Sequence, residues 1–278
     1  MNLFEGRKIW IASMHKKENV IAPVLESKLN VHCQVNQINT DVFGTFSGEV
    51  EREFSPLACA RKKCELASQK NDIDLFLASE GSFGPHPQLF FSYCNEELIL
   101  LIDKKNNAEW YTVFRSTATN FNAKSCTSLD EVLAFCNEVG FPEHAVILRK
   151  DRSENQELFK GIQNVSYLKE VVTMLLDKHK SLYIETDMRA LFNPTRMKNI
   201  ESATQKLCEQ LLNLCPSCNF PGFSIHELLP GLPCSSCGLP TKSIKSSIFS
   251  CQMCTLTEEH PYHSRTSEDP MYCDFCNP

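Results

Sequence analysis

The sequence predicts an α/β N-terminal domain, a mixed sheet with flanking helices, followed by a helical connector and a small C-terminal double zinc ribbon. Three observations predict it. Apolar strand-like runs alternate with helix-like stretches through residue 152, the alternation that builds α/β folds. Residues 153–212 are dominated by two helical patterns. Residues 213–278 carry four Cys-x-x-Cys pairs.

The elements follow in order. Lys8–Ser13 (KIWIAS) is a short β-like run. Lys17–Leu29 follows with Val20, Ile21, Val24, Leu25 and Leu29 at helical spacing, although Pro23 interrupts it. Val31–Val35 is the next strand, and the glycine-bearing stretch from Thr40 is loop and strand. Ser55–Pro56 supplies an N-cap and a first-turn proline for a helix to about Lys70. Asp74–Ser79, Glu97–Asp103 and Trp110–Arg115 are strands, Ser128–Val139 is a helix, and Ala145–Arg149 is the last strand of the domain. In the connector, Val165–His179 is helical. Asn193–Pro194 starts a second helix to about Leu214, with Met197, Ile200, Ala203, Leu207 and Leu211 as its apolar stripe.

Composition bounds the function. The 278 residues are 42% hydrophobic and 22% charged, enough for a packed core and too mixed in sign for a disordered chain. A net charge of −6 argues against nucleic acid and against acidic membranes as partners. No apolar run approaches the roughly 20 residues of a membrane span. The opening MNLFEGRKIWIASMHKKE is too charged for a signal peptide. Seven of the fifteen cysteines (33, 59, 64, 94, 126, 136, 208) are scattered without pattern, which fits free thiols in a reducing compartment. A cytoplasmic protein is expected.

The remaining eight cysteines are Cys215/Cys218, Cys234/Cys237, Cys251/Cys254 and Cys273/Cys276. Each pair turns two thiolates to one point, and two pairs complete a tetrahedral Cys₄ shell, so two structural Zn²⁺ are expected. Spacing leaves the pairing open between adjacent pairs and a nested arrangement in which the second and third pairs close inside the first and fourth. His226, His260 and His263 are surplus to the ligand count. From residue 213 on, Lys242, Lys245 and Arg265 face Glu227, Glu258, Glu259, Glu268, Asp269 and Asp274. Such a module gains little from phosphate contacts, so a stabilising role or a protein partner is the expectation.

Candidate chemistry clusters elsewhere. In LASEGSFGPHPQ a buried strand ends on Glu80, followed by glycines, His86 and two prolines. Ligands of open α/β sheets bind at that edge, and a rigid carboxylate there suits Mg²⁺ or Mn²⁺ carrying a phosphate. Glu49 and Glu51 lie two apart, on one face if extended. Lys16 or Lys17, at the first strand-to-helix junction, would hold an anion, and Lys63 lies on the helix that follows the two glutamates. Arg189 and Arg196 bracket a helix N-terminus, where Asp187 could orient one of them. They form either a phosphate clamp or a salt-bridge cluster fixing the helix.

KIWIASMHKKE, CARKKC (Cys59–Cys64) and ASEGSFG, in that order, resemble motifs of the inosine/xanthosine triphosphate pyrophosphatases over about residues 7–90. The resemblance implies that Lys63 matches a motif lysine and Glu80 a metal-holding carboxylate. Cys59 stands where that family has asparagine. The whole chain also resembles an uncharacterised bacterial family that joins such a domain to a cysteine-rich tail.

Two functions are therefore expected. The first is a divalent-metal-dependent phosphohydrolase acting on a nucleoside triphosphate or similar phosphate ester. In it Glu80 with Glu49 or Glu51 holds the metal, Lys16, Lys63, Arg189 and Arg196 bind phosphate, and His86 assists proton transfer. The second is a non-catalytic protein that binds a nucleotide or other anion and engages a protein partner through its zinc ribbon.

Overall fold

A computed structural model describes residues 3–36, 54–69, 73–89, 91–153 and 156–278. The chain divides into two compact units, Asn2–Leu207 and Cys208–Pro278.

The first unit is α/β and, among the described residues, holds two sheets. The larger has strand order β2-β1-β3-β4-β5. It is mixed, as expected: β1 (Lys8–Ala12) runs parallel to both β2 (His32–Asn36) and β3 (Leu75–Pro85). β4 (Tyr93–Asp103) and β5 (Ala108–Ser116) add on antiparallel. Helix α1 (Glu18–Leu29) packs against β2 and buries Ile21, Leu25 and Leu29. Helix α2 (Pro56–Ser68) lies on β3, where Ala60, Cys64 and Ala67 meet Ala12, Phe76, Ala78, Leu98 and Leu100. Ser55 caps α2 as expected, its Oγ accepting from the amide of Ala58 at 3.3 Å.

Two expectations change here. β3 does not end at Ser79. It continues to Pro85, paired with β4 from Leu75/Asp103 to Pro85/Tyr93. Glu80, the carboxylate that read as the strand's end, is a strand residue whose charge finds a partner in the fold. The second change concerns residues 123–186. β7 (Val146–Arg149) does not join the first sheet but a second one, of order β6-β9-β7-β8, with β6 (Ala123–Cys126), β8 (Phe159–Ile162) and β9 (Leu182–Thr186). The stretch 153–212 is therefore more than helices: it gives this sheet two strands. Alternation explains the pairing, since Val146, Leu148, Ile162, Leu182 and Ile184 share one buried cluster under α3 (Leu129–Val139) and α4 (Val165–His179).

Helix α5 (Pro194–Leu212) starts as expected, with Asn193 Oδ1 accepting from the amide of Arg196 at 2.9 Å. The second unit is a three-stranded antiparallel meander, β10 (Ser224–Pro230), β11 (Ile244–Ser250) and β12 (Thr257–Pro261), with a Cys-x-x-Cys turn at each approach. Among the described residues no helix is long and apolar enough to cross a membrane.

Candidate functional sites: a buried charge cluster and two cysteine tetrads

β1 stops at Ala12, so beyond Ala78 the strand β3 has β4 on one side and nothing from β1 on the other. The chain from Ser13 to Lys17 turns there into α1. Lys16 takes the left-handed conformation (φ 55°) and Lys17 is the N-cap. Lys17 turns inward, 7% exposed, and its Nζ donates to both the carbonyl and Oγ of Ser79 at 3.1 Å each.

Two ion pairs lie close by. On the α2 face of the sheet Glu80, which alternates with Phe76 and Ala78, pairs with Lys63 of α2. On the other face Glu97, opposite Gly81 in the register, pairs with Arg196 of α5, Nε to Oε1 at 2.8 Å; neither side chain is exposed at all. Asn95 Nδ2 donates to Glu97 Oε1 at 2.9 Å, Asn199 Nδ2 donates to Asn95 Oδ1 at 2.8 Å, and Arg196 Nη1 donates to the Met188 carbonyl at 2.5 Å. Gly81 is required by packing: a Cβ there would sit 2.7 Å from Glu97 Oε1 and against the Arg196 guanidinium. The close backbone approach that glycine permits is taken up by the protein's own ion pair.

The electrostatics are uneven. Among the described residues, three basic side chains, Lys17, Lys63 and Arg196, share this buried region with two carboxylates, and each carboxylate already has its partner. Burial pushes the Lys17 amine down to about 7, and the charges of Arg196 and Lys63 push the same way; Glu80 and Glu97 only partly oppose them. Ser13, at the end of β1, is 3% exposed and its Oγ has no hydrogen-bond partner among the described residues.

The cluster unites Lys63, Glu80 and Arg196 of the expected residues. Glu80 and Glu97 face opposite sides of the sheet and each meets a cation, so they do not converge as a divalent-metal shell. Among the described residues, the groups of His, Cys, Asp or Glu placed to hold a metal are the two cysteine tetrads. Lys16 is exposed; its neighbour Lys17 takes the inward place. Arg189 is bound instead by Asp187, Nε to Oδ1 at 3.0 Å, and lies over the Phe192 ring at 4.4 Å. His86 shapes the hairpin turn, its Nδ1 accepting from the amides of Gln88 and Leu89. Glu49 and Glu51 lie outside the described residues. Glu97, Asn95 and Asn199 were not anticipated. Alternation in ELILLID carries the signal for Glu97, since it places this carboxylate on the same face as the buried Ile99 and Leu101.

The cysteines form two tetrads, Cys215/Cys218/Cys251/Cys254 and Cys234/Cys237/Cys273/Cys276, each with its four Sγ atoms within 4.8 Å of one another. Pairing is crossed: first turn with third, second with fourth. Neither the adjacent nor the nested alternative holds, and in place of two ribbons there is one meander with a tetrad at each end. The strand directions cause this. Ser224 at the start of β10 lies beside Ser250 at the end of β11, which brings the first and third turns together. Pro230 lies beside Ile244 and Pro261 beside Ser246, so the second turn and the chain leading to the fourth share the opposite end.

The donor set fits zinc. Zn–S bonds of about 2.3 Å in a tetrahedron put sulfurs about 3.8 Å apart. The Sγ separations are 3.6 Å for Cys215–Cys254, 3.6 Å for Cys218–Cys251, 3.9 Å for Cys234–Cys276 and 3.6 Å for Cys237–Cys273. A disulfide would need about 2.05 Å. The thiols of each tetrad are shifted unevenly: the backbone amides of Cys237 and Ser236 draw Cys234 down to about 7 and that of Leu256 does the same for Cys254, while Cys218 and Cys276 are pushed up to about 12. The turns are tight enough that Asn219, Gly238 and Thr255, each following a second cysteine, are left-handed (φ 58°, 72° and 59°). Each tetrad could hold one zinc ion.

Fold and sites together define a class: an α/β protein with a buried charge cluster and a C-terminal module carrying two cysteine tetrads. Within that class the chain belongs to the family described as Domain of unknown function (DUF6671), whose model matches residues 63–278 and so spans Lys63, Glu80, Glu97, Arg196 and all eight tetrad cysteines. No curated protein matches the chain.

Proposed function

We propose that the chain is a cytoplasmic two-zinc protein whose α/β unit binds an anion of the phosphate class at Lys17, Lys63 and Arg196. In this reading the zinc module engages a protein partner. One observation carries it: among the described residues the buried cluster has a third basic side chain, Lys17, whose amine donates to Ser79 and pairs with no carboxylate. Fully buried, uncompensated ammonium groups are costly, and an anionic ligand at the end of β1 would supply the missing charge. The buried Ser13 hydroxyl, without a hydrogen-bond partner among the described residues, adds a donor at the same edge.

The test is calorimetric titration with inorganic phosphate, pyrophosphate and a nucleoside triphosphate. At least one should bind. Lys17→Met should weaken it about tenfold, the loss of one charge-assisted contact, while Arg189→Met, outside the cluster, leaves it unchanged. Absence of binding by all three anions would overturn the reading.

A second reading, a Mg²⁺- or Mn²⁺-dependent phosphohydrolase acting on a nucleoside triphosphate, is favoured by one observation. Lys63 and Glu80, drawn from two separate motifs of the pyrophosphatase resemblance, are in contact. It requires metal-dependent release of pyrophosphate or phosphate that Glu80→Gln abolishes. Binding without turnover leaves the first reading alone.

A further inference from the structure

One face of the zinc module's sheet carries an open, partly apolar hollow. Alternation puts Ile225, Phe249 and Glu258 in one cross-strand row, with Ser247 and His260 in the next. Phe249 packs between Phe223, at 5.6 Å between centroids, and the edge of His260, at 5.2 Å. Leu214, beside the first cysteine turn, and Tyr262, beyond β12, also line the hollow, whose volume is about 550 Å³. Leu214, Ile225 and Tyr262 remain 47%, 46% and 42% exposed, although large apolar side chains grouped on one surface normally mark a contact site.

Charge selects among occupants. From residue 213 on, the module has six carboxylates against three Lys/Arg. Each tetrathiolate adds a formal charge of about −2 when zinc is bound, because four thiolates outweigh one dication. A second copy of the module, a nucleic acid and an acidic membrane would all be repelled. A cationic polypeptide would be attracted. We propose that this hollow docks a basic segment of a partner protein, which inserts one aliphatic or aromatic side chain between Leu214, Ile225, Phe249 and Tyr262. The inference rests on the reading of the zinc module as a protein-binding module and gives it a surface and a partner chemistry.

The test uses the full zinc-loaded chain, ¹⁵N-labelled, and three capped peptides: Lys-Arg-Trp-Arg-Lys, the same peptide with Gly for Trp, and Glu-Asp-Trp-Asp-Glu. The basic tryptophan peptide should shift the amides of Ile225, Phe249, His260 and Tyr262. The glycine and acidic peptides should bind at least about fivefold more weakly, and added salt should weaken the basic peptide further. Ile225→Ser, at an exposed position and checked for intact zinc content, should cost about fivefold in affinity for the basic peptide, the scale of removing one apolar anchor. Acidic and basic peptides binding alike, or unchanged affinity in Ile225→Ser, would overturn the proposal. So would self-association through this face in sedimentation. Shifts confined to another face of the module would sink the hollow but leave the protein-binding reading standing. No shifts with any peptide would count against both.

Discussion

Lys17 shows what a single side chain can contribute. Its amine is held near 7 against an ordinary value of 10.5, chiefly by burial. Below about pH 7 both folded and unfolded chains carry its proton, and the cost of burying the charge is fully present. Between about 7 and 10.5 the unfolded chain binds the proton and the folded chain does not, so this group makes stability rise with pH. Urea midpoints at about pH 6 and about pH 9 should therefore differ less in Lys17→Met than in the wild type, with the mutant the more stable of the two at the lower pH. Equal pH slopes would show that Lys17 stays charged when buried. Gly81 gives a second test. Adding one methyl by Gly81→Ala forces it against the Glu97–Arg196 pair, and a loss of about 2–4 kcal/mol in chemical denaturation is expected. At this scale the sequence was partly legible. Glu80 and Lys63 stand in recognisable motifs, but the choice between Lys16 and Lys17 depends on which of two adjacent residues takes the left-handed turn. No periodicity encodes that.

Among elements, the β3–β4 hairpin is the instructive case. A run of carboxylate, glycines and prolines reads as the end of a strand, yet all eleven residues from Leu75 to Pro85 are paired with β4. Local pattern lost to tertiary structure because the polar residues are satisfied from distant elements, Glu80 by α2 and Glu97 by α5. The same pairing makes α5 depend on β4. Arg196→Ala should cost about 3–5 kcal/mol, since it leaves Glu97 buried without its partner. Arg196→Met combined with Glu97→Met should recover much of that loss, because an apolar pair of similar size removes both charges at once. A double mutant as unstable as the single would mean that hydrogen bonds to Asn95 and Met188, rather than the ion pair, hold this helix. Capping, by contrast, was legible in advance: Ser55, Ser128 and Asn193 all cap the helices their positions announce. The polar strand β6 and the four-residue β8 were not, because neither carries enough apolar alternation to stand out.

For the molecule as a whole, the two units draw on different sources of stability. Among the described residues, Asn2–Leu207 has large apolar clusters of its own. Within Cys208–Pro278 many apolar side chains are exposed, among them Leu228, Met253, Met271, Tyr272 and Phe275, so metal is expected to supply much of its folding free energy. Elemental analysis should give two zinc ions per chain. A chelator should make residues 208–278 sensitive to protease while 2–207 stays resistant. Cys218→Ser should lower zinc content to below about one ion per chain, since in a crossed arrangement the loss of one tetrad frees a strand end that the other needs. Retention of one full zinc would show that the tetrads fold independently. The cysteines that could hold metal were the most legible part of the chain, because the Cys-x-x-Cys pattern stands out in the sequence. Their partnering was not, because it is decided by strand direction.

Crossed partnering also bears on how the module is made. As the chain leaves the ribosome, Cys234 and Cys237 emerge before Cys251 and Cys254, so the first pair meets a complete but wrong set of zinc ligands ahead of its proper one. Chain entropy barely discriminates: Cys218 and Cys251 are 33 residues apart, and a doubling of loop length costs only about 0.6 kcal/mol. A metal captured early would be trapped in the mismatched site until the β10–β11 hairpin formed and exchanged its ligands. Maturation of this protein should therefore be limited by thiolate exchange on a bound ion, and faster when zinc arrives after the whole chain than when it is present throughout synthesis.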